Sequence, residues 1–504
     1  MKFKKEIEIL YKSKTLGDVL KNITIENKDK IFLIDPESKI SLTYEDFDKL
    51  VNQCCFYLSK FKLKKEHIIT LYLDNSYKFL IFYFACLRLG ITVNPLPHNI
   101  GDELVRNTLK IIKPIILLSN ANIKNNIKKN FINTEFINIA KLDLITYLKK
   151  QNKKFKKFNN KIAVIYFSSG TTGNQKLIKY SHFAMLQNQI FLIKSGFSKK
   201  KPVHLCFLPL GHTSALRYTI KHCLSLGGTI ILYKSFWSVR ENLFYETLKY
   251  KANYFQTVPT ILNAILLTKY KSAPGKDLKN NFIGCGSAYL DKNIQSKFEK
   301  KYKIKVSNLY GLSEVGCSNF DNIFKKRRIL GSIGNPLFGV KIRILNNKNQ
   351  FAKKNEKGEI LIKGNNLFSG YYKNSILTKK SFYNNYFKTG DIGYYDKNKF
   401  YYYLDRSKDI IIKGGVNVYP SDIEEIILKS NYINEVAIKG YKEKFFGEKI
   451  ACFFVPNDKF NMIKFVNYCK EKIGKIQFPD KFIPTKLIPK TISGKIVKRK
   501  LIIK

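Results

Sequence analysis

A short apolar run followed at once by a glycine-rich loop constrains the fold of this chain more than any other feature. The run KIAVIYF (161–167) is rich in β-branched and aromatic residues, which predicts a buried strand. The loop SSGTTGNQK (168–176) follows it directly. Glycine lets a backbone turn tightly, and successive N–H groups in such a turn can bind an anion. The junction therefore predicts either a phosphate site in an α/β sheet or, as the alternative, a polar surface loop.

The loop carries the side chains that a phosphate site would need. Ser168, Ser169, Thr171 and Thr172 supply hydroxyl donors, and Lys176 supplies a positive charge. The GxxxxGK[ST] pattern of a Walker loop does not fit, because Lys176 directly follows Asn174 and Gln175 and precedes Leu177. The rest of the chain must therefore indicate which kind of nucleotide enzyme this is.

The charge of the chain has two interpretations. The length of 504 residues predicts two or more domains, and a hydrophobic content of 44% allows each a core. The net charge of +52 is typical of a binder of nucleic acid or anionic membranes. The lysines are spread along the whole chain, however, and Asn, Ile, Tyr and Phe are abundant too, as in the products of an AT-rich genome. We favour that second interpretation, because nucleic-acid footprints are normally clustered.

Cysteine spacing and the apolar segments exclude several other classes. The nine cysteines form no CxxC pair and the histidines form no HExxH pattern, so no zinc site is indicated. The odd cysteine count and an N-terminus without an apolar signal segment predict a reducing, cytoplasmic location. The most apolar run (79–91) is shorter than a membrane span and contains Arg88. It predicts a buried helix, and we expect no transmembrane segment.

The order of periodic patterns predicts the domain organisation. Residues 1 to about 150 and 161 to about 330 alternate helical and strand patterns, such as the helix TYEDFDKLVNQCCFYLSKF and the strand HIITLYL. The strands GVKIRIL, GEILIKG and FYYYLD within 331–404 predict a small antiparallel sheet or barrel. From about residue 409, a helix (DIEEIILKS) and two strands (EVAIKGY and KIACFFVP) predict a second, smaller domain.

Six further stretches contain residues suited to nucleotide chemistry. NLYGLSEVG (308–316) places Glu314 beyond a tight bend, and Mg²⁺ often takes one carboxylate together with phosphate oxygens. YFKTGDIGYYD (386–396) contains Asp391, an acid that can accept hydrogen bonds from ribose hydroxyls. The other four stretches are IGCGSAY (283–289), LPLGHTSAL (208–216) with His212, YYLDRSKDIIIKGGVNVYPSDIEEI (402–426) with Arg406, and PKTISGKIVKRKL (489–501) with Lys495. Taken singly, each also fits an ordinary structural loop.

In this order and at these spacings, the stretches resemble the adenylate-forming superfamily. That superfamily includes acyl- and aryl-CoA synthetases, firefly luciferase and the adenylation domains of nonribosomal peptide synthetases, and the resemblance runs from about Leu42 to Leu501. It implies an α/β multidomain fold. The large N-terminal domain (1–404) would contain two α/β subdomains and a distorted β-barrel, and a hinge (405–408) would connect it to a small mobile α+β C-terminal domain (409–504).

The resemblance also implies the reaction. Members of the superfamily join a carboxylate to ATP, release pyrophosphate, and then let a thiol displace AMP. ATP and Mg²⁺ are the implied cofactors, and CoA is the implied co-substrate. Converting one carboxylate oxygen into a phosphate ester makes it a leaving group, and positioning and charge neutralisation supply most of the catalysis.

The resemblance assigns nucleotide-binding positions one by one. The phosphate loop would use Ser169, Gly170, Thr171, Thr172, Gly173 and Lys176. The adenine wall and its surroundings would use Gly286, Ser287, Ala288, Asn308, Leu309, Tyr310, Gly311 and Ser313. Asp391 and Arg406 match the ribose clamp, and Glu314 with Thr172 matches the magnesium site. Lys495 matches the catalytic lysine that reaches the α-phosphate and the carboxylate, so Lys495, Thr172 and Glu314 are the predicted catalytic residues.

Other positions are assigned to the substrate, the hinge and the thiol. The substrate pocket would be lined by His212, Thr213, Gly286 and Gly311. Lys408 matches the hinge about which the small domain turns, and Gly415 matches a glycine of the thiol tunnel.

Four positions depart from the usual pattern of the superfamily. Gln175 and Leu177 stand where proline and glycine are usual, Ser313 replaces a threonine, and Asp422 replaces a glutamate. Every predicted catalytic position is nevertheless filled by a chemically competent residue, which argues against an inactive homologue.

Three functional hypotheses follow. Amino-acid-activating members carry an aspartate near the position of His212, and GHTSAL has none, so we expect an uncharged fatty or aryl substrate. The favoured hypothesis is a carboxylate–CoA ligase, with a place in fatty acid metabolism as one consequence. The alternative is an adenylation enzyme that loads a separate acyl or peptidyl carrier protein. The third is a nucleic-acid or membrane binder on an inactive scaffold, which the intact motif set disfavours, so we expect no nucleic-acid partner.

Overall fold

A computed structural model describes residues 2–98, 100–120, 123, 125–140, 142–149, 154–168, 176–270, 278, 281–325, 327–443, 447–490 and 496–503. Up to residue 181 the strands are β1 (Ile31–Asp35), β2 (Ile40–Thr43), β3 (Ile68–Tyr72), β4 (Thr92–Pro95), β5 (Ile116–Ser119), β6 (Glu135–Asn138), β7 (Ile162–Ser168) and β8 (Lys176–Ser181). The helices of this part are α1 (Lys4–Lys12), α2 (Leu16–Asn27), α3 (Tyr44–Ser59), α4 (Tyr77–Leu89), α5 (Asp102–Ile112), α6 (Asn125–Lys128) and α7 (Leu144–Lys149). Strands and helices thus alternate, as the sequence pattern predicts.

Residues 182–336 continue the alternation. Their strands are β9 (Val203–Cys206), β10 (Thr229–Leu232), β11 (Tyr254–Thr257), β12 (Phe282–Gly286), β13 (Val306–Leu312), β14 (Gly316–Phe320) and β15 (Asn335–Pro336). Their helices are α8 (His182–Lys194), α9 (Lys221–Ser225), α10 (Phe236–Val239), α11 (Leu243–Lys249), α12 (Pro259–Leu267) and α13 (Lys292–Tyr302). A π-helix (Ala215–Ile220) runs directly into α9, and a 3₁₀ turn covers Arg240–Asn242.

These strands form two mixed sheets. The first has the order β6-β5-β3-β4-β7-β8, and only β8 is antiparallel to its neighbour. The second has the order β15-β14-β13-β12-β11-β9-β10-β1-β2, with parallel pairing from β13 to β1. Strands such as β5 and β11 are buried along their whole length, as expected when helices cover both faces. In open α/β sheets, binding sites form beyond the carboxyl ends of the strands, so the segments after β9, β12 and β13 can share a site.

Helix α4 shows how the sequence sets the core. Every residue from 79 to 89 is buried, including Arg88. The Arg88 guanidinium forms an ion pair with Asp48 on α3, which offsets the cost of burying its charge. The predicted buried helix at 79–91 is confirmed as α4. None of the described helices is both long and apolar enough to cross a membrane.

The region after residue 336 forms the predicted antiparallel sheet. Its strands are β16 (Lys341–Leu345), β17 (Gly358–Lys363), β18 (Phe382–Tyr383), β19 (Tyr386–Tyr395) and β20 (Tyr401–Arg406), and its helix is α14 (Ser375–Lys380). The order is β16-β17-β19-β18, and β20 pairs with the other part of β19. The predicted distorted barrel is thus a five-stranded half-barrel.

The C-terminal region has its own core. Its elements are β21 (Ile411–Lys413), β22 (Val416–Val418), α15 (Pro420–Leu428), β23 (Ile433–Glu443), β24 (Gly447–Pro456), α16 (Met462–Lys472), β25 (Lys481–Pro484) and 3₁₀ turns at Ser407–Asp409 and Lys498–Lys500. Its main hydrophobic cluster runs from Ile411 to Ile473, whereas the main N-terminal cluster ends at Phe387. Strand β20 extends to Arg406, two residues into the predicted hinge, and the domain boundaries stay predictions.

Candidate active site

A cavity lies at the carboxyl ends of β9, β12 and β13. It is lined by His212, Thr213, Ser214, Arg217, Tyr218, Gln256, Gly286, Ser287, Leu309, Tyr310, Gly311, Leu312 and Ser313. All four predicted substrate positions are among these residues, together with the predicted nucleotide positions Ser287, Leu309, Tyr310 and Ser313. The structure therefore brings together side chains that lie as far as 101 positions apart in the sequence.

Two glycines allow backbone segments of the cavity wall to lie very close together. A Cβ atom on Gly286 would lie 2.7 Å from the carbonyl oxygen of Leu309, and one on Gly311 would lie 1.7 Å from the carbonyl oxygen of Gly316. No side chain can be added at either position without moving the backbone. Ser287 follows with a φ of 70°, a left-handed conformation that non-glycine residues rarely adopt and that recurs at functional sites. Backbone segments of the cavity wall therefore lie in close contact at these two glycines.

His212 is fixed by the turn that carries it. Its Nδ1 lies 3.0 Å from the hydroxyl oxygen of Ser214 and accepts from the Ser214 backbone N–H at 3.4 Å. The acceptor role of Nδ1 favours the tautomer with the ring proton on Nε2. The imidazole is thus held at the cavity edge, as expected for a residue that shapes the substrate pocket.

Asp391 and Arg406, the predicted ribose clamp, lie opposite each other on β19 and β20. Arg406 Nε lies 2.8 Å from Asp391 Oδ1, and the Tyr310 hydroxyl donates to Asp391 Oδ2 at 2.8 Å. Burial and the charge of Asp391 raise the pKa of Tyr310, so the phenol stays protonated. Burial lowers the pKa of Arg406, but Asp391 and two tyrosines outweigh it and the net shift is upward. The result is a rigid, charge-balanced carboxylate next to the cavity.

Asn308 supports this wall rather than projecting into the cavity. Its Nδ2 donates to the Ser332 carbonyl at 3.0 Å, and its own carbonyl accepts from the Asp321 backbone N–H at 2.9 Å. The side chain is buried. Its contacts hold β13 against the segment that precedes β15.

Glu314 lies in the tight connection between β13 and β14. The side chain is buried, and the Tyr371 hydroxyl donates to its Oε1 at 3.0 Å. The same tyrosine ring lies 5.3 Å from the Nζ of Lys176, the first residue of β8. Tyr371 thus connects the end of the glycine-rich loop with the predicted magnesium ligand.

The donor set around Glu314 fits a magnesium ion that is bound mainly by phosphate oxygens. Mg²⁺ usually takes one or two carboxylates and completes its shell with water and phosphate. The described residues contain no cluster of three or more histidine, cysteine or acidic ligands, and so offer no all-protein metal cage. Glu314 is the described acid placed to contribute one oxygen.

Several predicted positions lie elsewhere. Ser169, Gly170, Thr171, Thr172, Gly173 and Lys495 fall outside the described residues. Gly415 occupies an exposed turn between β21 and β22 with a φ of 78°, where a Cβ atom would meet nothing within 4 Å. Ala288 directly follows the residues that line the cavity, and neither Ala288 nor Gly415 lines it. The roles assigned to all of these residues stay predictions.

The predicted hinge contacts the C-terminal region through Asp405. Its carboxylate accepts from the backbone N–H groups of Arg406 and Ser421, each at 2.9 Å. Burial raises the pKa of Asp405 to about 6, although Lys498 lowers it. Lys498 forms an ion pair with Glu424 on α15 at 2.9 Å. Partial burial and the cations Arg406, Arg499 and Lys176 lower the pKa of Lys408, the predicted hinge residue.

Sequence reasoning missed Arg217 and Gln256 in the cavity wall and gave no role to Tyr218. Arg217 is an arginine within the otherwise apolar run Ala215–Ile220, and that interruption was the available signal. Nothing in the sequence near Gln256 indicated that its strand ends at the cavity. The hydrogen bond from Tyr310 to Asp391 was also missed, because the two residues lie 81 positions apart.

Comparison with known proteins places this geometry in a family. A family model for AMP-binding enzymes matches residues 23–372, and a model for the C-terminal domain of AMP-binding enzymes matches residues 422–495. A 2-succinylbenzoate–CoA ligase of Bacillus pumilus is 27% identical over 478 residues, which cover 94% of this chain and 95% of that protein. A long-chain-fatty-acid–CoA ligase of Bacillus subtilis is 31% identical over 68% of this chain and 61% of that protein.

A solved structure supports the fold. The O-succinylbenzoate CoA synthetase of Bacillus subtilis, in complex with ATP and magnesium ion, superimposes with a TM-score of 0.83 at 22% identity, covering 96% of this chain and 98% of that chain. The chain belongs to the family of AMP-binding enzymes. It is an acid–thiol ligase of the AMP-forming type, and the predicted fold class is confirmed.

Proposed function

We propose that the protein activates a fatty or aryl carboxylic acid with ATP and transfers the acyl group to CoA. The observation that carries this proposal is the Tyr310–Asp391–Arg406 cluster beside a cavity whose lining includes Tyr310, Gly286 and Gly311. A charge-balanced carboxylate that is already oriented by two partners can accept hydrogen bonds from a ribose without reorganising. The CoA ligases among the relatives support both the nucleotide and the thiol.

In the first half-reaction, a carboxylate oxygen attacks the α-phosphorus of ATP. The bond between that phosphorus and the bridging oxygen breaks, and pyrophosphate leaves with the electron pair. Asp391 and Arg406 hold the ribose, the backbone at Gly286 and Ser287 faces the adenine, and Lys176 lies at the end of the phosphate loop. Lys495 stabilises the charge that develops between the carboxylate and the α-phosphate. Mg²⁺, held through Glu314 and Thr172, would neutralise charge on the phosphate oxygens.

In the second half-reaction, the thiol sulfur of CoA attacks the acyl carbon. The bond between that carbon and the phosphate oxygen breaks, AMP leaves and a thioester forms. Lys408 serves as the hinge that reorients the C-terminal domain, and Gly415 lines the path of the thiol. A separate acyl or peptidyl carrier protein is the alternative acceptor, but the relatives named as CoA ligases favour CoA.

The substrate enters between His212, Thr213 and the wall formed by Gly286 and Gly311. An amino acid does not suit this cavity. No acidic side chain is among its described lining residues to pair with an ammonium group, and Arg217 would repel one.

Carboxylate-dependent exchange of pyrophosphate into ATP tests the proposal. Purified protein is assayed with fatty, aryl and amino acids, and positive reactions are then supplied with CoA and analysed for the thioester. We expect exchange with a fatty or aryl acid, no exchange with amino acids, and a CoA thioester without any carrier protein. Absence of exchange with every acid would contradict the activity, and exchange without thioester formation would favour the carrier protein.

A matched pair of variants ties the exchange to the site. Asp391→Asn removes the charge of the ribose clamp, whereas Asp458→Asn makes the same change at an exposed position between β24 and α16. Exchange should fall only in the first variant.

A further inference from the structure

Arg217 is an enclosed cation in the wall of the cavity. It lies on the π-helix Ala215–Ile220, it is 2% exposed, and it is the only lysine or arginine among the described lining residues, which include no acid. π-Helical turns are rare and occur frequently at functional sites. Arg217 therefore gives this cavity, whose other described lining residues are neither acids nor lysine or arginine, a permanent positive charge.

The contacts of Arg217 within the chain do not balance that charge. Its Nη2 reaches the Ser313 carbonyl only at 3.5 Å, and its guanidinium carbon lies 4.7 Å from the centre of the Tyr180 ring. No carboxylate oxygen of the described residues lies within 4.0 Å of a guanidinium nitrogen of Arg217, so Arg217 forms no ion pair with them. Burial lowers the pKa of Arg217, but Tyr180, Tyr218 and Tyr166 outweigh it, so the guanidinium remains charged.

Other enclosed arginines of this protein are paired. Arg88 binds Asp48, and Arg328 binds both Glu299 and Asp321. An unpaired buried charge costs several kcal/mol or more, so chains normally provide a counter-ion. Because no described carboxylate forms an ion pair with Arg217, the ligand of the cavity is the candidate for its counter-ion.

A second polar group next to Arg217 also lacks a partner. Both the oxygen and the nitrogen of the Asn188 side-chain amide are buried without a hydrogen bond to the described residues, and Asn188 is 2% exposed. The amide and the guanidinium meet at Gly316, where a Cβ atom would lie 2.8 Å from Asn188 Nδ2 and 2.9 Å from Arg217 Nη1. Donors from two different helices thus converge on one place.

Lys221, one turn beyond Arg217, does not substitute for it. The residue is fully buried, and its Nζ lies 3.4 Å from the hydroxyl oxygen of Tyr166. Burial and the charge of Arg217 both lower the pKa of Lys221 strongly, which favours a neutral amine. Arg217 is therefore the charged member of the pair.

We propose that this cavity takes a carboxylic acid with a second carboxylate, and that Arg217 is the specificity-determining residue that binds it. The planar guanidinium matches a carboxylate with two parallel hydrogen bonds, and enclosure strengthens that pairing. The inference rests on the proposed function and narrows its substrate. It replaces the uncharged tail expected from the sequence with an aryl or aliphatic diacid.

Pairs of acids that differ only in the presence of a second carboxyl group test the inference. Pyrophosphate exchange is measured with hexanoate against adipate, and with 3-phenylpropanoate against 3-(2-carboxyphenyl)propanoate. We expect kcat/KM to favour the diacid by at least about tenfold in the better-accepted pair. Equal or lower activity with both diacids would overturn the inference while leaving the proposed function intact. No exchange with any acid would instead contradict the proposed function.

Variants then assign the preference to Arg217. Arg217→Met should abolish the preference for the diacid, with kcat/KM falling at least about tenfold more for the diacid than for the matched monoacid, and Arg217→Lys should retain part of the preference. Arg343→Met, at an exposed position on β16, is the matched control and should change neither. Equal loss with both acids in Arg217→Met would show that Arg217 serves the reacting carboxylate or the nucleotide, and would overturn the inference. If Arg217→Met fails to fold, the ratio of kcat/KM for diacid and monoacid in the unmodified protein decides whether the cavity favours a diacid.

Discussion

Arg406 is a half-buried cation and Arg217 is a buried one, both lie near the same cavity, and their charges are balanced differently. Arg406 pairs with Asp391, which also accepts from Tyr310, so the charge of Arg406 is balanced before any ligand arrives. Arg217 contacts a ring and a carbonyl, and no ion pair forms among the described residues. The nucleotide is common to every reaction of the family, so its site can be built in advance. The acyl side differs between members, and here an open charge can select the substrate.

The largest effect is expected from Lys495→Ala, which separates transition-state stabilisation from binding. Arg406 and Arg217 are proposed to bind ground-state ligands, whereas Lys495 meets charge that develops during adenylation. We expect adenylation to fall by at least about 10²-fold, while thiol transfer from supplied acyl-adenylate stays largely intact. Rapid-quench assays of each half-reaction measure both. Equal loss in the two steps would contradict this role.

Asp391→Asn would remove the negative charge that balances Arg406. The variant leaves Arg406 without its charged partner, and removing one member of an enclosed pair is strongly destabilising locally. We expect kcat/KM for ATP to fall by about 10- to 10²-fold, with the preference among acids unchanged. Steady-state kinetics with both acids of a matched pair provide the test. A changed acid preference would show that the two sides are not independent.

The pH dependence of stability tests the environment of Asp405, which lies in the predicted hinge and contacts Ser421. Because burial raises the pKa of Asp405 to about 6, the folded protein holds this proton more tightly than the unfolded chain does. Its ionisation therefore destabilises the fold as pH rises from about 4 through 6, by at most about 3 kcal/mol. Asp405→Asn should gain stability relative to the unmodified protein over that range. Urea unfolding at several pH values measures the difference, and a constant difference would contradict the assignment.

The smallest effect is expected from Lys221→Met. The amine of Lys221 is fully buried with a lowered pKa, so methionine replaces a largely neutral group of similar length. We expect stability to change by less than about 1.5 kcal/mol and the diacid preference by less than about threefold. A loss of preference as large as that of Arg217→Met would show that Lys221, rather than Arg217 alone, carries the positive charge.

The sequence predicted the architecture because its signals are local. Alternating apolar runs predicted the strands of the half-barrel, and the apolar run at 79–91 predicted helix α4. The resemblance assigned Gly286 and Gly311 to the pocket, and the structure shows why neither can carry a side chain, because a Cβ atom would meet the backbone of Leu309 or Gly316. Motif order was sufficient to indicate the family, which the matches to both domains confirm.

The residues that sequence reasoning missed depend on contacts between distant elements. Arg217 gains meaning because no described carboxylate forms an ion pair with it, and a sequence does not show which side chains meet in the fold. The environment of Asp405 depends in the same way on Ser421 and Lys498, which belong to the C-terminal region. The expectation of an uncharged substrate came from a missing aspartate near His212, whereas the proposed diacid depends on the position of Arg217 in the fold.

Transfer of oxygen from the carboxylate to AMP tests the central claim most directly. The protein is given a carboxylic acid labelled with ¹⁸O in the reacting carboxyl group, together with ATP, Mg²⁺ and CoA, and the nucleotide product is analysed by mass spectrometry. Attack of the carboxylate on the α-phosphorus followed by thiol attack on the acyl carbon predicts one ¹⁸O atom in each AMP formed. Unlabelled AMP, or ADP with the label in inorganic phosphate, would contradict an acyl-adenylate route.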